Sequence, residues 1–329
     1  MRKSFILLIL VAVLFEGYGH AQEMPRTNFA HTFSIVARDQ ATGEMAVGVQ
    51  SHWFSVGTLV SWGESGVGVV ATQSFVNPSY GPEGLRLMAE GMNAAEALDI
   101  LVKSDEGREF RQAALLDNKG GVSAWTGDKC VESAGHVTGE NYSVQANMML
   151  NDKVVPAMSK AFEENGDLPL AERIVKVLQA AQAAGGDIRG KQSAVLIVVG
   201  GEPVAGPWLD KKVDLRVDDH SEPLAELERL LKVHRAYEHM NAGDLAIENN
   251  DMATAMREYE AAAKMFPENL EMRYWKAVAM VNNSKVGEAL PIFKEIFLAD
   301  PNWREMTRRL PRSGLLTVTG ADLKRILDQ

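Results

Sequence analysis

HTFSIVARDQATGEMAVGVQS, residues 31–51, decides how the rest of the chain is read. Residues alternate through 33–37, pause at 39–44 around Gly43, and alternate again through 45–49. Side chains of a strand point to opposite faces in turn, so the pattern is that of a β-hairpin. Its first strand opens with a threonine, Thr32. Two readings stand: a β-branched residue suited to a pleated sheet, or a hydroxyl nucleophile that works only once the chain ahead of it is removed.

The chain ahead of Thr32 reads as an export signal. Arg2 and Lys3 are positive, residues 5–15 are uninterrupted apolar, and Gly19 and Ala21 set small residues at a cleavage site. The run is short of the roughly 20 apolar residues that span a bilayer, so no stable membrane anchor is expected. Residues 1–21 are therefore expected to be a signal peptide and residues 22–31 a leader or linker, with the mature protein periplasmic or secreted. The only cysteine, Cys130, cannot make an internal disulfide, so stability must come from packing. With 329 residues, 46% of them hydrophobic, there is material for a large core. The net charge of −10 and the lack of any basic run exclude nucleic acid as an expected partner.

The C-terminal third repeats itself at an interval of 34 residues: Gly243 and Ala277, Ala255 and Ala289, Tyr259 and Phe293, Pro267 and Pro301. That is the tetratricopeptide (TPR) period, with small residues where paired helices touch and proline after the second helix. Two TPR-like repeats are expected over 241–306, with a connecting helix at 223–240 before them and a capping segment at 307–329. Such repeats present a surface for a protein partner.

Residues 32–222 show a different pattern. Further strand-like runs occur at 66–73, 110–116, 122–125, 142–145, 193–199 and 213–217, and helical stretches at 82–101, 152–164 and 169–184. Strands in hairpins and helices in pairs argue for antiparallel sheets covered by helices, an α+β fold, rather than a doubly wound sheet. Two phosphate-binding look-alikes fail. GGDIRGKQS (185–193) carries Gln192 where a magnesium-binding hydroxyl belongs, and it leaves a helix to open a strand, the reverse of a P-loop. GVGVVA (66–71) is followed by TQSFVNPSYGP, which cannot be the helix that receives a pyrophosphate. The scattered histidines lack zinc-site spacing. No metal and no cofactor are expected.

Five ordered segments carry a resemblance: TFSIVARDQATGEMAVGVQS, GVGVVATQSFVNPSYGPEGL, YSVQANM, GGDIRGKQSAVLIVV and VDLRVDDH. Together they resemble a bacterial family of unknown function, domain of unknown function ten twenty-eight, grouped with the N-terminal-nucleophile (Ntn) hydrolases. The resemblance implies a four-layer αββα sandwich followed here by the α-helical TPR-like part. It also implies a threonine, matching Thr32, whose freed α-amine is the base for its own hydroxyl. This chain departs from that pattern through its leader, and residues 51–80 hold no lysine of the kind that proteasome-like enzymes keep near the nucleophile.

The expected site follows from polar residues inside apolar motifs. Thr32 is the candidate nucleophile, and the resemblance implies Asn147, which closes YSVQAN where Ntn enzymes often supply such groups, as a candidate oxyanion donor. Gln73, Asn77, Gln145, Asp187, Arg189 and Gln192 are candidate substrate-binding residues, with Arg189 suited to a carboxylate. Each has a structural alternative: Asn77 starts a turn before Pro78, Gln145 and Asn147 satisfy backbone groups, and Asp187 pairs with Arg189. The leading reading is an exported Ntn-type amidohydrolase acting on a small amide or peptide bond. The competing one is a catalytically inactive binding or scaffold protein with a TPR-like interaction arm. A third reading is a structural subunit that uses the sandwich to form a homo-oligomer, as proteasome-like shells do.

Overall fold

The computed structural model describes residues 28–329; the expected signal peptide, and residues 22–27 of the expected leader, lie outside them. In chain order the strands are β1 (Asn28–Ala30), β2 (Thr32–Arg38), β3 (Met45–Ser51), β4 (Ser61–Glu64), β5 (Gly68–Val76) and β6 (Arg111–Asp117). They continue with β7 (Val122–Thr126), β8 (Gly135–Gly139), β9 (Tyr142–Ala146), β10 (Ser193–Val199) and β11 (Lys211–Val217). Two antiparallel sheets result. One runs β1-β5-β6-β7 with β4 also on β5; the other runs β11-β10-β3-β2-β9-β8.

The opening hairpin forms as its sequence predicts. Asp39 Oδ1 accepts the amides of Ala41 (3.0 Å) and Thr42 (2.7 Å), and Gly43 supplies the positive φ of 74° that closes the turn. The register then sets Thr32 opposite Ser51 and Val36 opposite Val47. Alternation along β2 sends Phe33, Ile35 and Ala37 to one face and Val36 to the other, and both faces are buried. Val36, Met45, Val47, Val69, Leu116 and Ile197 fill the space between the sheets.

A helix pair covers the outer face of each sheet. Helices α1 (Tyr80–Ala89) and α2 (Ala94–Ser104) pack on β5 and β6, and α3 (Val154–Glu164) and α4 (Leu170–Ala183) pack on β9, β3 and β2. The order helix, sheet, sheet, helix places the site described below inside the molecule, between the sheets. The single helical stretch expected over 82–101 is instead two helices. Gly91 has a φ of 100°, and Asn93 and Glu96 form a reciprocal capping box that starts a new helix. Three strands are absent from the sequence reading, β1, β4 and β8, all short, where alternation is too brief to register. Helix α4 stops at Gly185 and Gly186, both at positive φ, and the chain enters β10.

The C-terminal region holds α5 (Pro223–Glu248), α6 (Met252–Met265), α7 (Leu270–Asn282), α8 (Val286–Ala299), α9 (Asn302–Ser313) and α10 (Gly320–Leu327). Helices α5 to α9 each pack on the next, and α10 folds back on α8 and α9. Gly243, Ala255, Tyr259, Ala277, Ala289 and Phe293 are all buried. A Cβ at Gly243 would lie 2.6 Å from the Tyr259 ring, so the glycine is a packing residue. For that reason the connecting helix expected to end at residue 240 does not end there. It continues as one 26-residue helix. Its first half packs Leu224, Leu227 and Leu231 into the core beneath α3 and α4, and its second half packs Ala236, Met240 and Ala246 against α6.

Candidate functional site

Between the sheets the core is aliphatic until the start of β2, where it turns polar. Alternation puts Thr32 and Ser34 on the face that carries Val36, and the hairpin register adds Ser51 beside Thr32. The facing sheet contributes Gln73 from β5 and Gln112 from β6, themselves register partners. Gln145 and Asn147 arrive at the end of β9. All seven side chains are fully buried.

Burying so many polar groups is tolerable only because they bond one another; a stranded one costs about 1–3 kcal/mol. Ser34 Oγ donates to Gln73 Oε1 (2.7 Å) and accepts from Gln145 Nε2 (2.6 Å). Gln112 Oε1 accepts from Gln73 Nε2 (2.7 Å) and Asn147 Nδ2 (2.9 Å). Gln112 Nε2 donates to the Ala146 carbonyl (2.9 Å) and to Thr126 Oγ1 (2.9 Å).

The network encloses the peptide bond between His31 and Thr32. The His31 carbonyl accepts two hydrogen bonds, from Ser51 Oγ at 2.6 Å and from Arg189 Nη2 at 2.8 Å. The Thr32 carbonyl accepts from the Asn147 amide (3.1 Å) and from Gln73 Nε2 (3.2 Å). His31 itself is buried, with Nδ1 donating to Asn147 Oδ1 at 2.8 Å and its ring edge-on to Phe75 at 6.1 Å. Asn147 Oδ1 has no proton to give, which assigns the hydrogen to Nδ1. Burial outweighs that bond and holds the His31 pKa below its ordinary value of 6.5, which favours the neutral imidazole.

Arg189 is aimed by Asp187. Its Nε reaches Oδ1 at 3.0 Å and its Nη2 reaches Oδ2 at 2.7 Å, a two-point pairing that fixes the guanidinium plane. The carboxylate is fully buried and also takes the amides of Arg189 (2.9 Å) and His52 (3.2 Å). Gly185, Gly186 and Gly190, all at positive φ, shape the loop that carries the pair.

Six of the eight sequence-predicted residues thus lie together: Thr32, Asn147, Gln73, Gln145, Asp187 and Arg189. The other two do not join them. Asn77 Oδ1 accepts from Ser79 N (3.2 Å) and Ser79 Oγ (2.8 Å), and its Nδ2 donates to Asp105 (3.3 Å), so it starts α1. Gln192 points its Nε2 at Asp219 (3.2 Å). Four participants escaped the sequence reading: His31, Ser34, Ser51 and Gln112. Ser51 could be found by counting forward from the turn to the partner of Thr32; Gln112 is the polar residue in the apolar run QAALL. Cys130 lies elsewhere, half-buried, its thiol pKa pushed up by burial. Among the described residues no three His, Cys, Asp or Glu side chains gather as metal ligands, and no helix is long and apolar enough to cross a membrane.

Chemically, two donors already grip the carbonyl of an amide bond, immediately before a buried threonine hydroxyl. The same grip would hold a developing oxyanion. With the leader attached, the Thr32 nitrogen is an amide and supplies no base.

Comparison with known proteins places the chain. A family of unknown function (DUF1028) matches residues 32–227, and the chain belongs to that family. The match begins at Thr32, leaving β1 and His31 outside it. Among solved structures the chain is similar to a protein of the same family from Silicibacter pomeroyi. The two are 30% identical with a TM-score of 0.56, over 62% of this chain and 88% of the other. No match was found among curated proteins.

Proposed function

We propose that the protein is an exported amidohydrolase of the N-terminal-nucleophile type, in which Thr32 becomes the nucleophile once the His31–Thr32 bond is broken. One observation carries the reading: the His31 carbonyl is held by Ser51 Oγ (2.6 Å) and Arg189 Nη2 (2.8 Å). After the leader leaves, the carbonyl of a small amide or peptide takes that position. Hydrolysis of the His31–Thr32 bond consumes one water and leaves a His31 carboxylate and a Thr32 amine. That amine titrates near 7.7–8.0, so roughly a tenth is neutral at pH 7. It takes the Thr32 hydroxyl proton as Oγ1 bonds to the substrate carbonyl carbon. Ser51 and Arg189 hold the oxyanion, and the proton passes to the leaving amine as the amide bond breaks. A water then hydrolyses the Thr32 ester and restores the hydroxyl. One oxyanion donor is worth about 10²–10³ in rate, and a positioned base about 10²–10⁴.

A second reading has its own observation. Thr32 is fully buried, and its surroundings are hydrogen-bonded without a substrate. An inactive sandwich carrying a TPR-like arm for a protein partner would look the same while its leader stays on. Intact mass of the protein recovered from its own host separates the two. The catalytic reading expects an N-terminus at Thr32, amide turnover, and loss of turnover in Thr32→Ala with little change in melting temperature. A mature chain that retains residues 28–31 refutes it.

A further inference from the structure

We infer that the leader strand sits in the substrate's own place, so that the site takes an extended peptide lying antiparallel along β5, with a neutral hydrogen-donating side chain before the scissile bond. This rests on the reading of Thr32 as the nucleophile. Strand β5 is flanked on one side by β6, across Gly68–Ser74. On the other side β4 covers only Gly68–Ala71. Farther along that flank, Ser74 to Val76 are covered by β1, with Asn28 opposite Val76, Phe29 opposite Phe75 and Ala30 opposite Ser74. The family match excludes this strand. A sheet edge filled by a removable segment is the geometry of peptide recognition by strand addition, where main-chain bonds give affinity and side-chain slots give selectivity.

The leader meets the site at three points at once. Its backbone pairs with β5, its terminal carbonyl lies between Ser51 and Arg189, and the His31 ring fills a closed slot formed by Asn147 and Phe75. The slot has a polarity. Asn147 Nδ2 is committed to Gln112 Oε1 (2.9 Å), which turns Oδ1 toward the ring as an acceptor. A side chain entering there must offer an N–H. Neutral histidine does, and glutamine keeps the donor. Phenylalanine leaves the acceptor unmet, and glutamate sets a charge against it.

The test uses a full-length chain with residues 24–31 replaced by a protease recognition sequence, folded first and then cut so that Thr32 comes first. Fluorescence anisotropy follows a labelled Asn-Phe-Ala-His peptide ending in a free carboxylate. Saturable binding to the cut chain and none to the natural, uncut chain is expected. Replacing the peptide histidine by phenylalanine should weaken binding about tenfold, the worth of one lost hydrogen bond, and by glutamate further. Backbone N-methylation should weaken it at alternate residues only. Equal binding to cut and uncut chains, or indifference to the histidine, overturns the inference. Peptide binding without hydrolysis of the corresponding peptide amide refutes the chemistry at Thr32 and leaves the edge site standing. Turnover of simple amides without peptide binding refutes the edge site alone. If the cut chain does not stay folded, the uncut chain decides: His31→Glu should lower hydrogen-exchange protection of residues 28–31 at least tenfold, and His31→Gln should retain it. Unchanged protection in His31→Glu overturns the inference.

Discussion

Replacing Arg189 by methionine tests the part of the site on which the carbonyl grip depends. The guanidinium makes two bonds to Asp187, at 3.0 and 2.7 Å, and one to the His31 carbonyl at 2.8 Å. Methionine keeps much of the packing and removes all three. Asp187, whose side chain is 0% exposed, is left with two backbone amides and no counter-charge. Breaking a buried pair costs about 3–5 kcal/mol. The Arg189 side chain is 29% exposed, however, so water screens part of that, and about 2–3 kcal/mol is the better figure. At roughly 2–4 °C per kcal/mol for a domain of this size, melting should fall by about 5–10 °C. Asp187→Asn in the same chain removes the stranded charge, so the double variant should recover at least about 1 kcal/mol relative to the sum of the single changes. Arg189→Lys should recover only part, since an ammonium cannot pair at two points. Urea unfolding of the four members of the cycle measures this through the midpoint at constant slope. A coupling within about 0.5 kcal/mol of zero would refute the argument that Asp187 exists to aim Arg189.

Gln73→Leu should destabilise the sandwich by about 2–4 kcal/mol in urea unfolding, because Ser34 loses its acceptor and the Thr32 carbonyl a donor in a sealed space. Docking of the leader should depend on pH with a definite sign. The fold favours neutral His31, so a released leader binds more protons, and docking weakens as pH falls through 6.5 while staying flat above it. Hydrogen exchange at residues 28–32, corrected for the intrinsic rate, should show more opening at pH 5 than at pH 7.5. Gly48→Ala should cost about 1–3 kcal/mol by overpacking, since its Cβ would fall 2.2 Å from Ile174 Cγ2; a melting temperature equal to that of the natural chain would contradict the packing of α4 on β3.

Local order was legible where one short segment carries its own cause. The turn at Asp39 and Gly43, the stop at Gly185 and Gly186, and the strand character of residues 193–199 each follow from nearby chemistry. The capping box at Asn93 is equally local, but a run of helix formers on both sides of Gly91 hides the break. The site was legible only by half. Ser34 and Ser51 follow from the hairpin register once Thr32 is taken seriously. Gln112 does not, since it meets Asn147 only after one sheet stacks on the other, and no neighbour in sequence announces that stacking. Asn77 and Gln192 misled for the opposite reason: a polar residue in an apolar motif often serves its own turn. His31 belongs to the leader that the sequence reading expects to be removed, whereas its imidazole is a partner of Asn147.

Helix α5 has a mechanical consequence. At about 1.5 Å per residue its 26 residues make a rod of about 39 Å. Arg235 clamps it to Glu172 of α4 through bonds of 2.8 and 2.9 Å. The helix runs unbroken from Pro223 to Glu248. A load applied to the distal helices is therefore delivered as torque to α4 rather than absorbed in a linker, and the C-terminal end of α4 feeds directly into the loop bearing Asp187 and Arg189.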